Sequence, residues 1–416
     1  MILKKKKDIL VGLDVGTTKI CTVVAERDGD DTIRVIGIGQ APSQGLRKGV
    51  VINVEKTVEA IEKSIIMAEE SAGVEINSVF VGIAGGHIQS IKSRGVVPVS
   101  GDNGEITDED VRKVIAAAKA ISLPMEREII HAIPQEFIVD GQDGILDPIG
   151  MTGVRLEAEV NIVTAAVSSA QNIVKSINKA NVDVVGIILQ PIASSIATLT
   201  QEEKESGVVL IDIGGGTTDY AFFVDGSLRH TGVLAIGGDH LTNDVKIRFN
   251  IPTMRAEEAK IKFGYAMSSR VPENEEFVMP GTFGYPARSM LRRDLSDVIE
   301  SRLTEMLDIV KTEMDKTDCR SNIGSGIVMT GGASLVPGTI DLASSLFHVP
   351  VRLGIPRDIP GLKEMFQTPV YSTGVGLVLY AMNSVDDHMY ANVDTKEDHL
   401  FRKLTQEMHK MIKKYF

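Results

Sequence analysis

An α/β fold built from two similar halves is what the sequence predicts, and three segments predict it. The first is Leu13-Asp14-Val15-Gly16-Thr17-Thr18-Lys19, the second Ile211-Asp212-Ile213-Gly214-Gly215-Gly216-Thr217-Thr218-Asp219, and the third Ile327-Val328-Met329-Thr330-Gly331-Gly332-Ala333. Each opens as an apolar run that reads as a buried strand and closes in a glycine turn. Ile9-Leu10-Val11 leads into the first and Val208-Val209-Leu210-Ile211 into the second. The first two loops share one pattern and lie far apart in the chain, so they read as one element present in two halves.

In both copies an Asp stands at the strand end and glycine follows. Glycine permits a tight hairpin whose backbone N–H groups come close to an anion, where a side chain would stand in the way. The hydroxyls of Thr17, Thr18, Thr217 and Thr218 add donors, and Lys19 can meet the charge of a β- or γ-phosphate. The carboxylates of Asp14 and Asp212 are hard oxygen ligands suited to Mg²⁺, through water because that ion sheds its waters reluctantly. One such loop alone reads equally well as an ordinary hairpin turn. Two copies followed by Gly331-Gly332-Ala333, whose backbone can lie flat against an adenine ring, predict nucleotide binding.

Together these residues resemble the superfamily of actin, heat-shock chaperone and sugar-kinase ATPases, and the resemblance covers nearly the whole chain. It implies an actin-like ATPase fold, with two ribonuclease-H-like domains around a nucleotide cleft and a small subdomain inserted in each. ATP and Mg²⁺ are the ligands it implies. The phosphates would be gripped by Gly16, Thr17, Thr18 and Lys19 on one side and by Gly214, Gly215, Gly216, Thr217 and Thr218 on the other, with adenosine against Gly331, Gly332 and Ala333. It also suggests two connecting helices, Leu189-Gln190-Pro191-Ile192-Ala193-Ser194-Ser195-Ile196-Ala197 and Ser372-Thr373-Gly374-Val375-Gly376-Leu377-Val378-Leu379. Their small residues let two helices cross closely at a hinge, and would equally pack a tight core. Within Ala256-Glu257-Glu258-Ala259-Lys260 the resemblance places Glu257 and Lys260 near the ribose and adenine, although charges at this spacing also describe a solvated helix face. Gln190 falls where related ATPases keep a polar residue that orients water. Gln positions water but is a poor general base, so at most slow turnover is expected, and a Gln that satisfies strand-end backbone is the alternative.

The 416 residues suffice for at least two domains with ordinary hydrophobic cores. A net charge of -12 argues against nucleic acid as a partner, because neutralising phosphates needs a basic face. Cys21 and Cys319 are too few for a disulfide framework or a zinc site, so a reducing cytosol is expected, with both read as small buried hydrophobes. Met1 to Asp8 carries lysines but no apolar signal core, and no stretch approaches the roughly 20 apolar residues that cross a bilayer.

In chain order, Ile9 to Leu13, Ile20 to Glu26 and Thr32 to Gly39 read as strands, Val54 to Ala72 as a crossover helix and Ser78 to Ala84 as the returning strand. From Gly85 to Glu159 the character changes, with glycine-rich turns, the helix start Thr107-Asp108-Glu109-Asp110 leading to Val111 to Ala120, and the strand Ile129 to Val139. This reads as an inserted small domain. Strand Val160 to Val167, helix Ala170 to Lys179 and strand Val184 to Leu189 resume the body, and Tyr220 to Val224 with the turn Asp225-Gly226-Ser227 opens the second half as a hairpin. Ile236-Gly237-Gly238-Asp239-His240-Leu241 begins a helix. A second insertion runs from about Asn243 to Lys316, and its Arg288, Arg292 and Arg293 could receive an acidic peptide or form a solvated basic face.

The end of the chain separates the families. Residues 384–397 are polar and acidic and read as a flexible linker. In 398–416 the apolar Leu400, Phe401, Leu404, Met408, Met411, Ile412, Tyr415 and Phe416 recur at spacings of three and four, and Arg402, Lys403, Lys410, Lys413 and Lys414 occupy much of the rest of the circumference. Such a helix is marginal alone in water and suits an anionic membrane surface, or else docking on its own domain.

This arrangement is similar to the FtsA family, bacterial cell-division actin homologues that tie the tubulin-like FtsZ ring to the inner membrane. The resemblance implies subdomain 1A in 1–84 and 160–195, 1C in 85–159, 2A in 196–242 and 317–383, and 2B in 243–316, with 2B as the dock for the FtsZ C-terminal peptide. It further implies self-association into protofilaments on the cytoplasmic face of the membrane at the division septum, and recruitment of later division proteins. Rival readings fare less well. A small-molecule kinase needs a carboxylate base facing the γ-phosphate, for which Asp219 is a candidate only by position, and a heat-shock chaperone needs a peptide domain that the short tail after Leu379 does not supply. A pilus-assembly actin of the cytoplasmic type would not need the basic amphipathic end.

Overall fold

The computed structural model describes residues 8–27, 32–281, 286–317, 322–356 and 359–386. β1 (Ile9–Val15), β2 (Lys19–Arg27) and β3 (Ile33–Pro42) form an antiparallel meander, the short pair β4 (Leu46–Arg47) and β5 (Val50–Val51) follows, and α1 (Val54–Ala72) crosses over to β6 (Ser78–Ile83), parallel to β1. Then come β7 (Gln89–Pro98), α2 (Asp108–Lys119), β8 (Arg127–Val139), β9 (Gln142–Ile145) and β10 (Arg155–Ala166), whose strands join in the order β7-β10-β8-β9. α3 (Val167–Lys179) leads to β11 (Asp183–Leu189), which completes a first five-stranded sheet ordered β11-β6-β1-β2-β3.

The second half repeats this plan. After α4 (Gln190–Thr198) and α5 (Gln201–Ser206), the strands β12 (Val208–Ile213), β13 (Thr218–Val224) and β14 (Ser227–Leu234) form another meander. Next are α6 (Gly238–Phe249), α7 (Thr253–Phe263), the antiparallel pair β15 (Glu276–Met279) and β16 (Arg288–Leu291), and α8 (Arg292–Lys316). β17 (Ile327–Thr330), α9 (Thr339–Phe347), β18 (Val351–Leu353) and α10 (Ser372–Asp386) close the described chain. The second sheet is ordered β14-β13-β12-β17-β18, so each half is a three-stranded meander extended by two parallel strands.

Local signals explain the best-defined elements. α1 starts where Asn53 accepts from the Lys56 N–H at 3.0 Å and ends at Gly73, whose φ of 67° suits glycine. Its buried Ala60, Ile61, Ser64, Ile65 and Ala68 fall on one face at helical spacing. The β13–β14 turn is made by Asp225 and Gly226, both at positive φ, as a two-residue hairpin requires.

The chain divides into two compact units. The smaller holds Ser93–Ile121 and Glu136–Val160, and Ser122–Gln135, within the stretch expected for the insertion, packs instead with the larger. In the smaller unit, α2 begins with a full capping box between Thr107 and Asp110. Burial would raise the Asp110 carboxyl, but hydrogen bonds from Ser100 and Thr107 outweigh it and hold it at about 2. In the same unit Arg94 and Arg155 both pair with the buried Glu157, at 2.6 and 2.7 Å.

Three contacts of β8 explain why its first half joins the larger unit. His131 Nε2 accepts from the Leu189 N–H at 3.0 Å, and burial lowers the ring's pKa to about 4, so it stays neutral and able to accept. Ile133 packs against cores of both halves, and Gln135 Nε2 donates to the carbonyls of Leu228 and Arg229 at 3.3 and 2.7 Å.

α4 and α10 cross at the centre of this unit. A methyl group on Gly376 would stand 1.8 Å from the Ala193 carbonyl oxygen, and one on Gly12 of β1 would stand 2.8 Å from that of Gly374. The expected close crossing is therefore present, and only glycine fits it. Gly376→Ala is expected to cost about 1–3 kcal/mol, the usual range for overpacking, because the clash is with backbone rather than with a side chain that can turn away. Urea unfolding measures this, and an unchanged midpoint would show that the helices separate freely.

Candidate functional site

The two glycine loops are the same hairpin twice. Gly16 N–H donates to the Lys19 carbonyl at 3.0 Å, and Gly214 N–H to the Thr217 carbonyl at 2.9 Å. They face each other closely: a methyl on Gly215 would lie 1.8 Å from Thr18 Oγ1, and one on Gly216 within 2.9 Å of Thr17 Oγ1, Cβ and Cγ2. Three neighbouring atoms leave Thr17 no rotamer that clears a side chain at 216. The start of α6 fixes the second loop from behind, where the Gly238 and Asp239 N–H groups donate to the carbonyls of Gly214 and Gly215 at 2.9 and 2.8 Å.

Around these loops lies a cavity of about 530 Å³. Every residue expected on the nucleotide side lines it except Thr218: Asp14, Gly16, Thr17, Thr18, Lys19, Gln190, Asp212, Gly214, Gly215, Gly216, Thr217, Glu257, Lys260, Gly331, Gly332 and Ala333. Thr218 is the first residue of β13, and its hydroxyl donates to the Ile236 carbonyl at 2.8 Å. The expected membrane-facing residues, from Leu400 to Phe416, and Cys319 lie outside the described residues, while Cys21 is buried. Of Arg288, Arg292 and Arg293 in the second insertion, Arg292 pairs with Glu275 at 2.7 Å and Arg293 with Glu273 at 2.6 Å.

Three buried carboxylates share the cavity wall. Asp14 Oδ2 pairs with Lys19 Nζ at 3.3 Å and its Oδ1 accepts from Gln190 Nε2 at 3.2 Å. Asp212 Oδ2 accepts from Ser194 Oγ at 2.6 Å, and burial pushes its pKa up to about 6 against that bond. Asp219 stands opposite Asp212 in the β12–β13 register. Its Oδ2 accepts from Thr217 Oγ1 at 3.0 Å, whereas its buried Oδ1 finds no partner among the described residues. Burial, then the charge of Asp212, raises the Asp219 pKa well above the usual carboxylate range.

At the other end, Lys260 of α7 is buried and donates to the Gly238 carbonyl at 3.2 Å and Thr242 Oγ1 at 2.9 Å, and its Nζ lies 2.7 Å from Glu257 Oε2. Ile261, 66% exposed, and Leu335, 47% exposed, stand at the apolar mouth. Gly331 has φ of 84°, and a methyl there would lie 2.4 Å from Asp212 Oδ1. The sequence offers Asp219 only as a candidate base by position and gives Asp239, Ser194 and Thr373 no role. The place of Asp219 opposite Asp212 in the hairpin was the available signal for a shared site, whereas Thr373 meets Asp212 and Ser194 across 161 and 179 residues of sequence.

Two family profiles match this chain: the SHS2 domain inserted in FtsA over residues 85–164, and cell division protein FtsA over residues 209–376. It is 42% identical to cell division protein FtsA of Pseudomonas aeruginosa, covering 92% of each chain, and 44% identical to that of Borreliella burgdorferi, covering 90% of this chain and 91% of the relative. The chain belongs to the FtsA family of cell division proteins. With FtsA of Escherichia coli it shares 38% identity over 92% of this chain and 93% of the relative.

Solved structures show the fold. The PilM–PilN type IV pilus biogenesis complex matches with a TM-score of 0.65 at 16% identity, over 90% of this chain and 98% of the other. MreB5 of Spiroplasma citri bound to ADP matches with a TM-score of 0.55 at 12% identity, over 92% and 99%. The architecture is that of the actin-like ATPases, and the FtsA relationship rests on the sequence identities above.

The packing of the loops yields a direct test. Gly216→Ala is expected to cost about 1–3 kcal/mol, and a double-mutant cycle with Thr17→Gly should show a coupling of about 1 kcal/mol by urea unfolding. Additive effects would mean that the loops do not touch.

Proposed function

We propose that this chain binds ATP with Mg²⁺ in the cleft, assembles into actin-like protofilaments on the cytoplasmic face of the membrane at the division septum, and anchors FtsZ there. The observation that carries the nucleotide part is the meeting of two glycine hairpins, each followed back along its strand to a buried aspartate. The residues fit these ligands. Backbone N–H groups of both loops and the Thr17 hydroxyl are donors for phosphate, and Lys19 is a cation at the same wall. Asp219 Oδ1, buried and without a partner among the described residues, marks a place that a cation would relieve.

Mg²⁺ would be held through its waters by the hard carboxylate oxygens of Asp14 and Asp212 at the cavity wall. When bound, the ion offsets charge on the phosphates. The relatives add support, since MreB5 of Spiroplasma citri is described bound to ADP and to AMPPNP. Glu257 and Lys260 would face the ribose and adenine, and Gly331, Gly332 and Ala333 the base. Gln190, tied to Asp14, would orient water but is itself a poor general base, which suits slow turnover at most.

The remaining parts rest on family membership and on the sequence of the chain end. No described helix is long and apolar enough to cross a membrane. The helix of residues 398–416 would lie in the interface plane, with its apolar face in the headgroup boundary and its basic residues on anionic lipid. Subdomain 2B, residues 243–316, would receive the FtsZ C-terminal peptide, and later division proteins would be recruited to the assembled filament. Flotation with anionic liposomes and ATP tests this. The full chain should float and a chain truncated before Asp398 should not, with about 1 kcal/mol of binding per basic residue lost to added salt. Equal flotation of both, or of neither, would overturn the anchor.

A further inference from the structure

Two buried hydroxyls, one of them on Thr373 at the cavity wall, meet on one carboxylate oxygen. Ser194 of α4 donates to Asp212 Oδ2 at 2.6 Å, and Thr373 of α10 approaches the same oxygen at 3.4 Å. The two hydroxyls lie 3.0 Å apart, with Ser194 fully buried and Thr373 9% exposed. α4 and β12, separated by α5 alone, thus converge on one atom with α10 from far along the chain.

A buried Ser in a helix has an easier option, which is to bond a carbonyl of its own helix. Neighbours in α4 take it: Ser195 Oγ donates to the Ile192 carbonyl and Thr198 Oγ1 to that of Ser194, each at 2.7 Å. Ser194 instead reaches out of its helix to the acid. It follows Ala193, whose carbonyl touches Gly376, and Thr373 lies one turn before Gly376, so both hydroxyls sit at the helix crossing itself.

We propose that Ser194 and Thr373 are positioning residues that set the Asp212 carboxylate for a divalent cation and tie that setting to the crossing of α4 and α10. The proposal rests on the nucleotide reading above. An ion held through water senses where a carboxylate points, because its ordered waters bridge to fixed oxygens. Phosphate contacts to the glycine loops do not pass through Asp212. Loss of the hydroxyls therefore weakens the cation-dependent part of binding and leaves the rest.

The test uses the full chain and a fluorescent ATP analogue, titrated in Mg²⁺ and in EDTA. Ser194→Ala and Thr373→Val should each raise the Mg²⁺ concentration for half-saturation about tenfold and leave affinity in EDTA within about twofold. Thr373→Ser, which keeps the hydroxyl, and Ser195→Ala, which removes one that does not touch Asp212, should match the parent chain. Equal loss with and without Mg²⁺, or Thr373→Ser behaving like Thr373→Val, overturns the proposal in favour of packing alone. Should Ser194→Ala fail to fold, the two Thr373 variants decide the matter. If the parent chain binds no analogue at all, the nucleotide reading itself falls. Normal parent binding with unshifted variants removes only the positioning role.

Discussion

Gly376 lies against the Ala193 carbonyl so closely that a single methyl group would not fit, and this backbone contact sets the geometry of the larger unit. α4 follows the last strand of the first sheet, and α10 packs against β1 through Gly12 and Gly374. Once their crossing is fixed, side chains of the two helices reach the cleft floor: Gln190 to Asp14, and Ser194 with Thr373 to Asp212. Fold and site therefore share a contact. A change in the crossing would shift the partners of both aspartates at once.

The cleft floor works against stability. Burial disfavours charge on Asp212 and Asp219, and Asp219 keeps one oxygen without a partner among the described residues. Apolar packing offsets this, since the strands that carry these acids are buried throughout, β12 and β13 without an exposed residue. A site that breaks local rules inside a well-packed sheet is what a functional position looks like in physical terms. The same contrast marks the loops, where glycine serves close approach.

Much of this was legible because it is local. The span of α1 follows from its cap residues and apolar period, and the hairpins follow from strand, glycine and threonine order. Thr218 shows where local reading stops. It belongs to the glycine-threonine motif, yet as the first strand residue it bonds the Ile236 carbonyl instead of lining the cavity. The division of β8 was not legible either, because it depends on His131, Ile133 and Gln135 finding partners far along the chain. Ser194 looked like one more small helix residue. Its role appears only when β12 and α10 are in place around it.

Amide hydrogen exchange with and without MgATP tests most directly whether one nucleotide is held between two halves. Slowed exchange is predicted in the loops Gly16–Lys19 and Gly214–Thr217 together, at the same nucleotide concentration. Slowing confined to one loop, or absent from both, would contradict it.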